Sequence, residues 1–230
     1  GKVRIQGPPR QRSHHVAHQC DHDFYARETV RLIAGLILFG WVLAAHAGAQ
    51  KYEPLAASVQ AALHEAVSDR AAPEPEFPSL EEKINWLTEM SRRLEKRMPD
   101  REGRLEFLKT VYYEAKRAGL DPQMVLGLIQ VESGFKKYAL SPVGARGYMQ
   151  VMPFWVKLIG QKENNLFHLR VNLRYGCTIL RHYIDIEKGD LYRALGRYNG
   201  SLGQAEYPNM VRAAWERQWS WPKHRYLSGL

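Results

Sequence analysis

Glu132 is the residue of this sequence that is best placed to do acid chemistry. It ends a segment that begins with Asp121-Pro122 and carries apolar residues at Val125 and Leu128, a pattern that predicts a helix. The C-terminal end of a helix disfavours a carboxylate, and burial acts in the same direction. We therefore expect a raised pKa and a carboxyl group that can donate a proton to a leaving oxygen near neutral pH. The alternative is an ordinary solvated glutamate at a helix end.

Five short blocks of distinctive residues begin at this glutamate and extend to Gly200. They are Glu132-Ser133-Gly134-Phe135, Ala139-Leu140-Ser141-Pro142-Val143-Gly144-Ala145, Gly147-Tyr148-Met149-Gln150-Val151-Met152-Pro153, Asn172-Leu173 with Gly176 and Leu180, and Ala194-Leu195-Gly196-Arg197-Tyr198-Asn199-Gly200. Each block alone is a weak signal. In their order and separation, from about residue 121 to 200, they resemble the signature of the soluble lytic transglycosylases.

This resemblance implies an all-α, goose-type lysozyme-like catalytic domain that cleaves the MurNAc–GlcNAc β-1,4 bond of peptidoglycan. It implies Glu132 as the catalytic residue. The residues that it implies for substrate binding are Ser141, Gln150, Tyr198, Gly144, Met149, Met152 and Asn199. Two departures from the family pattern concern glycan contacts, because Tyr148 replaces a common leucine and Ser201-Leu202-Gly203 replaces the usual loop after the Tyr-Asn pair.

The resemblance also implies how these residues act. Ser141 would hydrogen-bond the substrate near its acetamido group, Gln150 would contact the glycan, and Tyr198 would lie beside Glu132 and the oxocarbenium-like centre. Glycines such as Gly144 and Gly147 would let the backbone approach a sugar closely. The two methionines are expected in the pocket wall. Asn199 is either a ligand or a structural hydrogen-bonding residue.

A second carboxylate is missing from the blocks. Hydrolytic glycosidases ordinarily pair two carboxylates about 5 to 9.5 Å apart. The acids available nearby, Glu163, Asp185, Glu187 and Asp190, lie in segments whose composition predicts solvated faces. The resemblance implies instead that the C6 hydroxyl of the substrate attacks the anomeric carbon. Glu132 then acts first as acid and afterwards as base, and the product carries a 1,6-anhydroMurNAc end.

Cysteine and histidine give no sign of a metal or cofactor site. Cys177 lies on the apolar face of a predicted helix, which favours a buried small hydrophobic residue over a reactive thiol. Cys20 is separated from it by an apolar run, so we expect no disulfide between the two. Three histidines, His14, His15 and His18, lie in the predicted leader, and His168 and His182 lack a Cys or Asp partner at ligand spacing. We therefore expect neither a metal nor a cofactor.

The elements that position these residues are predicted to be helices. Apolar periodicity indicates helices at about 51–70, 80–97, 105–118, 122–132, 148–151, 173–186, 191–198 and 211–219. Ser79 with Glu82 has the capping-box form, and Gly119 stands where a left-handed helix cap belongs. No stretch alternates as a strand does. The predicted divisions are a leader at 1–49, a helix with a Pro-rich linker at 50–78 and a catalytic domain at 79–230.

An uncharged run from Leu32 to Ala45 follows Arg27 and Arg31 and is typical of an export signal. The small residues of 45–49 suit a signal peptidase, and a retained membrane anchor through residues 32–49 is the alternative. We expect an exported protein of the periplasm or cell envelope. A formal charge of +9 indicates an anionic partner. The export signal favours peptidoglycan strands and argues against nucleic acid.

Two other functions remain open at this point. A hydrolytic muramidase would release free reducing ends, and a non-catalytic envelope scaffold would bind glycan without cleaving it. The sequence does not distinguish endo from exo cleavage, a stem-peptide preference, the physiological role, the oligomeric state, or the role of residues 51–70.

Overall fold

The fold is known from a computed structural model, which describes residue 1 and residues 50–68, 76–161 and 163–221. The helices of these ranges are α1 (Ala57–Val67), α2 (Leu80–Leu94), α3 (Arg101–Arg117), α4 (Pro122–Ser133), α5 (Phe154–Ile159), α6 (Leu169–Ile186), α7 (Leu191–Asn199) and α8 (Glu206–Ala214), which continues as a π-helix (Trp215–Trp219). Within the described ranges, β-structure is limited to two isolated bridges, Leu140 to Arg146 and Arg146 to Val151. The predicted all-α class is confirmed.

Local sequence signals set several of the helix ends. The Ser79 hydroxyl accepts a hydrogen bond from the Glu82 amide, as the capping box predicts. Asp121 accepts from the amides of Gln123 and Met124 at the start of α4. Gly119 is left-handed with a φ of 67°. All three predicted caps are confirmed, and the one at Asp121 fixes where the helix that carries Glu132 begins.

The helix α4 lies at the centre of the packing. It contacts α3, α8 and the π-helix, and its side chains from Met124 to Ile129 are buried. Gly127 allows a close contact with the π-helix, because a Cβ atom there would lie 2.9 Å from the backbone nitrogen of Trp215. The Trp219 indole donates a hydrogen bond to Gln130 at 2.8 Å. The helix that ends in Glu132 is therefore held on several sides.

Two predicted features differ in the structure. Residues 148–151 form a turn and a β-bridge instead of a short helix, and the helix of this region, α5, begins at Phe154. The apolar stripe that the periodicity predicts for α2, Leu80, Ile84, Leu87, Met90 and Leu94, is only partly buried. Met90 and Leu94 are buried together with Trp86, whereas Leu80 and Ile84 are exposed. Trp86 takes the inward place because its ring packs edge-on against Tyr112 of α3.

The segment 50–67 packs against α5 and α7. Gln60 donates to the Leu158 carbonyl at 2.6 Å, and His64 hydrogen-bonds the Ile159 carbonyl at 2.9 Å, so α1 satisfies carbonyl groups near the end of α5. Glu53 forms an ion pair with Arg197 of α7 at 2.8 Å. The sequence left the role of residues 51–70 open, and the structure shows that the described part of this segment packs on the helices of the domain that follows it.

The predicted leader lies outside the described residues, and so do Cys20, His14, His15, His18, the uncharged run and part of the Pro-rich linker. None of the helices in the described ranges is long and apolar enough to cross a membrane.

Candidate active site

Glu132 lies at the C-terminal end of α4, one residue before the helix ends at Ser133. Its side chain is buried, with 4% of the residue exposed. Gly134 and Phe135 both have positive φ values, 57° and 68°, which turn the chain sharply away from the helix. A glycine suits that conformation, whereas a phenylalanine adopts it only when its surroundings hold it. Phe135 is buried against Phe107 and Trp219, which supply that support.

Tyr207 of α8 supplies a direct partner for this carboxyl group. Its hydroxyl donates a hydrogen bond to Glu132 Oε1 at 2.5 Å, and the tyrosine is 1% exposed. Burial, together with the negative charge of Glu132, raises the pKa of Tyr207 well above its ordinary value. The phenol therefore stays protonated and remains a donor. Sequence reasoning missed this residue, since nothing in Glu206-Tyr207-Pro208 marks it locally.

Tyr198 of α7 is a second buried tyrosine that the charge of Glu132 influences. It is fully buried, and its pKa is raised well above the ordinary value by burial and then by the charge of Glu132. Its hydroxyl donates to the Met149 carbonyl at 2.7 Å. Tyr198 thus links the vicinity of the carboxyl group to the loop that contains Met149.

That loop, residues 147–152, is held by side chains from distant parts of the chain. Asn172 of α6 accepts from the Met149 amide at 2.8 Å and donates to the carbonyls of Arg146 and Leu166, both at 2.8 Å. Gly176 of the same helix leaves room for Met149, because a Cβ atom there would lie 2.3 Å from the methionine sulfur. Asn172 and Gly176 therefore shape the site from α6.

Gly147 does not expose its backbone as expected for a sugar contact. A Cβ atom at this buried residue would lie 2.4 Å from the Asn172 amide nitrogen and 2.6 Å from the Leu166 carbonyl, so the protein itself fills the space. Gly144 differs, because a Cβ atom there would meet nothing within 4 Å. Its φ of 90° explains the glycine.

Three predicted substrate-binding residues lie inside the protein. Gln150 is 1% exposed, and its side-chain nitrogen donates to the carbonyls of Gly147 and Ala139. Met149 and Tyr198 are fully buried. These side chains are packed inside the protein, and their contact with a substrate stays a prediction.

The other predicted substrate-binding residues lie nearer the surface. Ser141 is 7% exposed, and its hydroxyl accepts from the Ala145 amide at 3.0 Å, which closes the loop 141–145. Asn199 is 8% exposed, while Met152 and Gly144 are half-buried. Their substrate contacts also stay predictions.

The other acids that the sequence offered are occupied or exposed. Asp190 caps α7, Asp185 pairs with Arg181, Glu187 pairs with Arg193 and Arg197, and Glu163 is exposed. Arg193 and Arg197 hold the pKa of Glu187 below its ordinary value.

Within the described ranges, the acidic residues that are buried as a whole are Glu132 and Glu114, while the side chain of Glu187 is shielded by its two arginine partners. Glu114 pairs with Arg117 and Arg174.

Cys177 is fully buried, as predicted, with its sulfur 4.0 Å from that of Met149. Burial raises the pKa of its thiol, which leaves it unreactive. Across residues 50–68, 76–161 and 163–221, no three His, Cys, Asp or Glu side chains are grouped as a metal site would require.

The region around this site is similar to known proteins. Residues 109–215 match the family described as "Transglycosylase SLT domain". The "Transglycosylase" of Enterobacteria phage PRD1 is 34% identical over 105 residues, which cover 46% of this chain and 38% of the phage protein. "Membrane-bound lytic murein transglycosylase C" of Actinobacillus pleuropneumoniae is 46% identical over 48 residues, which cover 21% of this chain and 13% of that protein.

A structural comparison finds a lytic transglycosylase Slt inactive mutant from Pseudomonas aeruginosa at a TM-score of 0.38 and 25% identity. It covers 58% of this chain and 22% of that one. The chain thus spans well under half the length of the relatives that it matches.

Proposed function

Because the chain carries a transglycosylase SLT domain over residues 109–215, we propose that it is a lytic transglycosylase that cleaves peptidoglycan. The observation that carries this proposal is the buried Glu132 carboxyl at the end of α4, with the Tyr207 hydroxyl donating to it. A carboxyl group removed from water is suited to hold a proton near neutral pH and to release it to a departing oxygen.

In the first chemical step, protonated Glu132 donates its proton to the oxygen that joins MurNAc to GlcNAc. The bond between that oxygen and the MurNAc anomeric carbon breaks, and positive charge develops on that carbon and the ring oxygen. The GlcNAc fragment leaves as an alcohol. The carboxylate that forms keeps its hydrogen bond from Tyr207, which favours the charged form.

In the second step, the Glu132 carboxylate accepts the proton of the C6 hydroxyl of the same MurNAc. The C6 oxygen attacks the anomeric carbon and closes a 1,6-anhydro ring, and Glu132 regains its proton. Such an intramolecular attack can reach an effective molarity of about 10⁵ M, which outcompetes water at a site that excludes it. Because the C6 hydroxyl is the nucleophile, this route needs one carboxylate only, which agrees with the ion pair between Glu114, the other buried acid of the described ranges, and Arg174.

The envelope is the cellular location that this chemistry requires, since the substrate is the cell wall. Two features favour it: the export-like run before residue 50, and relatives whose name describes membrane-bound murein enzymes. The basic charge of the chain would attract the anionic groups of the wall.

Digestion of purified peptidoglycan by the full chain tests the proposal, with the products read by mass spectrometry. The chain should release 1,6-anhydro ends, and Glu132→Gln should lower the rate by at least about 1,000-fold, because an amide cannot donate or accept the proton. The matched Glu163→Gln should digest at the parent rate, since Glu163 is exposed.

Products one water heavier would identify a hydrolytic muramidase. Intact sacculi with bound protein would identify a glycan-binding scaffold. Either result would refute the transglycosylase proposal.

A further inference from the structure

Gln50 lies outside the matched domain, yet its side chain reaches the active-site loop 147–152. Its carboxamide nitrogen donates to the Gln150 carbonyl at 3.0 Å, and its oxygen accepts from the Met152 amide at 2.8 Å. The residue is 3% exposed, so both bonds are shielded from water. About one hundred residues of chain separate the partners.

The two bonds have the pattern of β-sheet pairing. Gln150 and Met152 flank Val151, and a strand presents the carbonyl and amide of such flanking residues to the same neighbour. On the other edge, the amide and carbonyl of Val151 pair with those of Arg146, both at 3.0 Å. The carboxamide of Gln50, with one donor and one acceptor group, takes the place of a second strand.

The loop needs this support because of its backbone conformation. Gln150 has a φ of 49°, which is costly for a residue with a side chain and persists only where its neighbours enforce it. Asn172 holds the Met149 amide and Tyr198 the Met149 carbonyl, before the strained residue. Gln50 holds the carbonyl of Gln150 itself and the amide of Met152 after it.

The rest of the N-terminal segment keeps Gln50 in place. Tyr52 packs edge-on against Phe154, at 5.7 Å between ring centroids, and Glu53 pairs with Arg197, the residue before Tyr198. The segment therefore contacts both the loop 147–152 and α7, the helix that carries Tyr198.

We propose that Gln50 is a positioning residue of the active site. It fixes residues 149–152 of the loop 147–152, and through the Met149 carbonyl it also fixes the Tyr198 side chain beside Glu132. This inference rests on the proposed function for its catalytic consequence. It assigns to the segment before the SLT domain a part in building the site.

The test compares Gln50→Ala and Gln50→Glu with Gln60→Ala in the full chain. Gln60 is the matched control, because it is a glutamine of the same segment that bonds a carbonyl of α5 and not the loop.

Gln50→Ala should lower kcat for release of anhydro products by about 10-fold and change KM by less than about two-fold, since the groups that act in the transition state would be misplaced. Gln50→Glu should also lower kcat, because a carboxylate accepts from Met152 and cannot donate to Gln150. Gln60→Ala should keep both constants within about two-fold.

Hydrogen exchange at the Met152 amide separates this inference from the proposed function. In Gln50→Ala the amide should exchange at least about 10-fold faster, whereas in Gln60→Ala its rate should not change. If the parent chain releases no anhydro product, the proposed function fails, and with it the catalytic consequence, while exchange still decides whether Gln50 holds the loop. An unchanged kcat in Gln50→Ala, an unchanged exchange rate, or an equal loss in Gln60→Ala would overturn the inference.

Discussion

At the scale of single residues, the hydroxyl groups of two tyrosines near Glu132 donate hydrogen bonds to different acceptors. Tyr207 donates to the carboxyl group itself, and Tyr198 donates to the Met149 carbonyl. Both phenols have pKa values raised well above the ordinary range by burial and by the charge of Glu132. Both phenols therefore stay protonated near neutral pH, so neither adds a titration of its own to the pH profile there.

Tyr207→Phe should move the pH profile of kcat/KM toward higher pH. Loss of the donor removes a bond that favours the carboxylate, so Glu132 would keep its proton to a higher pH and the basic limb would shift upward. Rates between about pH 5 and 9 measure the shift. Tyr192→Phe, an exposed tyrosine that bonds α8, is the matched control and should leave the limb in place. A basic limb that stays in place or moves downward in Tyr207→Phe would contradict this role.

At the scale of elements, close backbone contacts position the site. The helix α4 meets the π-helix at Gly127, and α6 meets the active-site loop at Gly176. In both places a side chain would occupy space that a neighbour already fills. The middle of α4 is therefore held by packing at Gly127, and its start by the Asp121 cap.

Gly127→Ala should destabilise the protein by about 1 to 3 kcal/mol, which thermal or chemical unfolding would measure. The Cβ atom would lie 2.9 Å from the backbone nitrogen of Trp215, and backbone cannot turn aside as a side chain can. Helix propensity alone predicts the opposite sign, a gain of up to about 1 kcal/mol. A melting temperature equal to or above that of the parent would show that the contact relaxes freely.

The helices could be predicted because their ends depend on neighbours in sequence. Asp121 and Ser79 cap amides two or three residues away, so the pattern is visible locally. Residues 148–151 could not be assigned correctly, because their conformation depends on Gln50 and Asn172, which are remote in sequence. Tyr207 was missed for the same reason, since its partner lies 75 residues away.

At the scale of the whole molecule, a buried ion network joins three parts of the fold. Glu114 of α3 is fully buried and pairs with Arg117 at 3.0 Å and with Arg174 of α6 at 2.9 Å. Arg174 also donates to the Ser68 carbonyl just after α1, at 2.8 Å. This network fastens α1 and α3 to α6, which in turn carries Asn172 and Gly176 beneath the active-site loop.

Arg174→Met should cost about 3 kcal/mol of unfolding free energy, because it removes the main partner of a buried carboxylate. Adding Glu114→Gln should recover part of that loss, since it removes the buried charge that has lost its closest partner. Denaturant unfolding of the two single variants and the double variant gives the coupling energy. Additive effects would show that the two charges do not depend on each other.

The docking of the N-terminal segment has a consequence for the order of folding. Gln50, Glu53 and Gln60 contact residues that lie 98 to 144 positions later in the chain. Contacts of such long sequence separation form only after the entropy of closing a large loop has been lost, and they slow folding. We therefore expect the segment from Gln50 to Gln60 to be among the last of the described ranges to find its partners, so that the loop 147–152 gains its final hydrogen bonds late in folding.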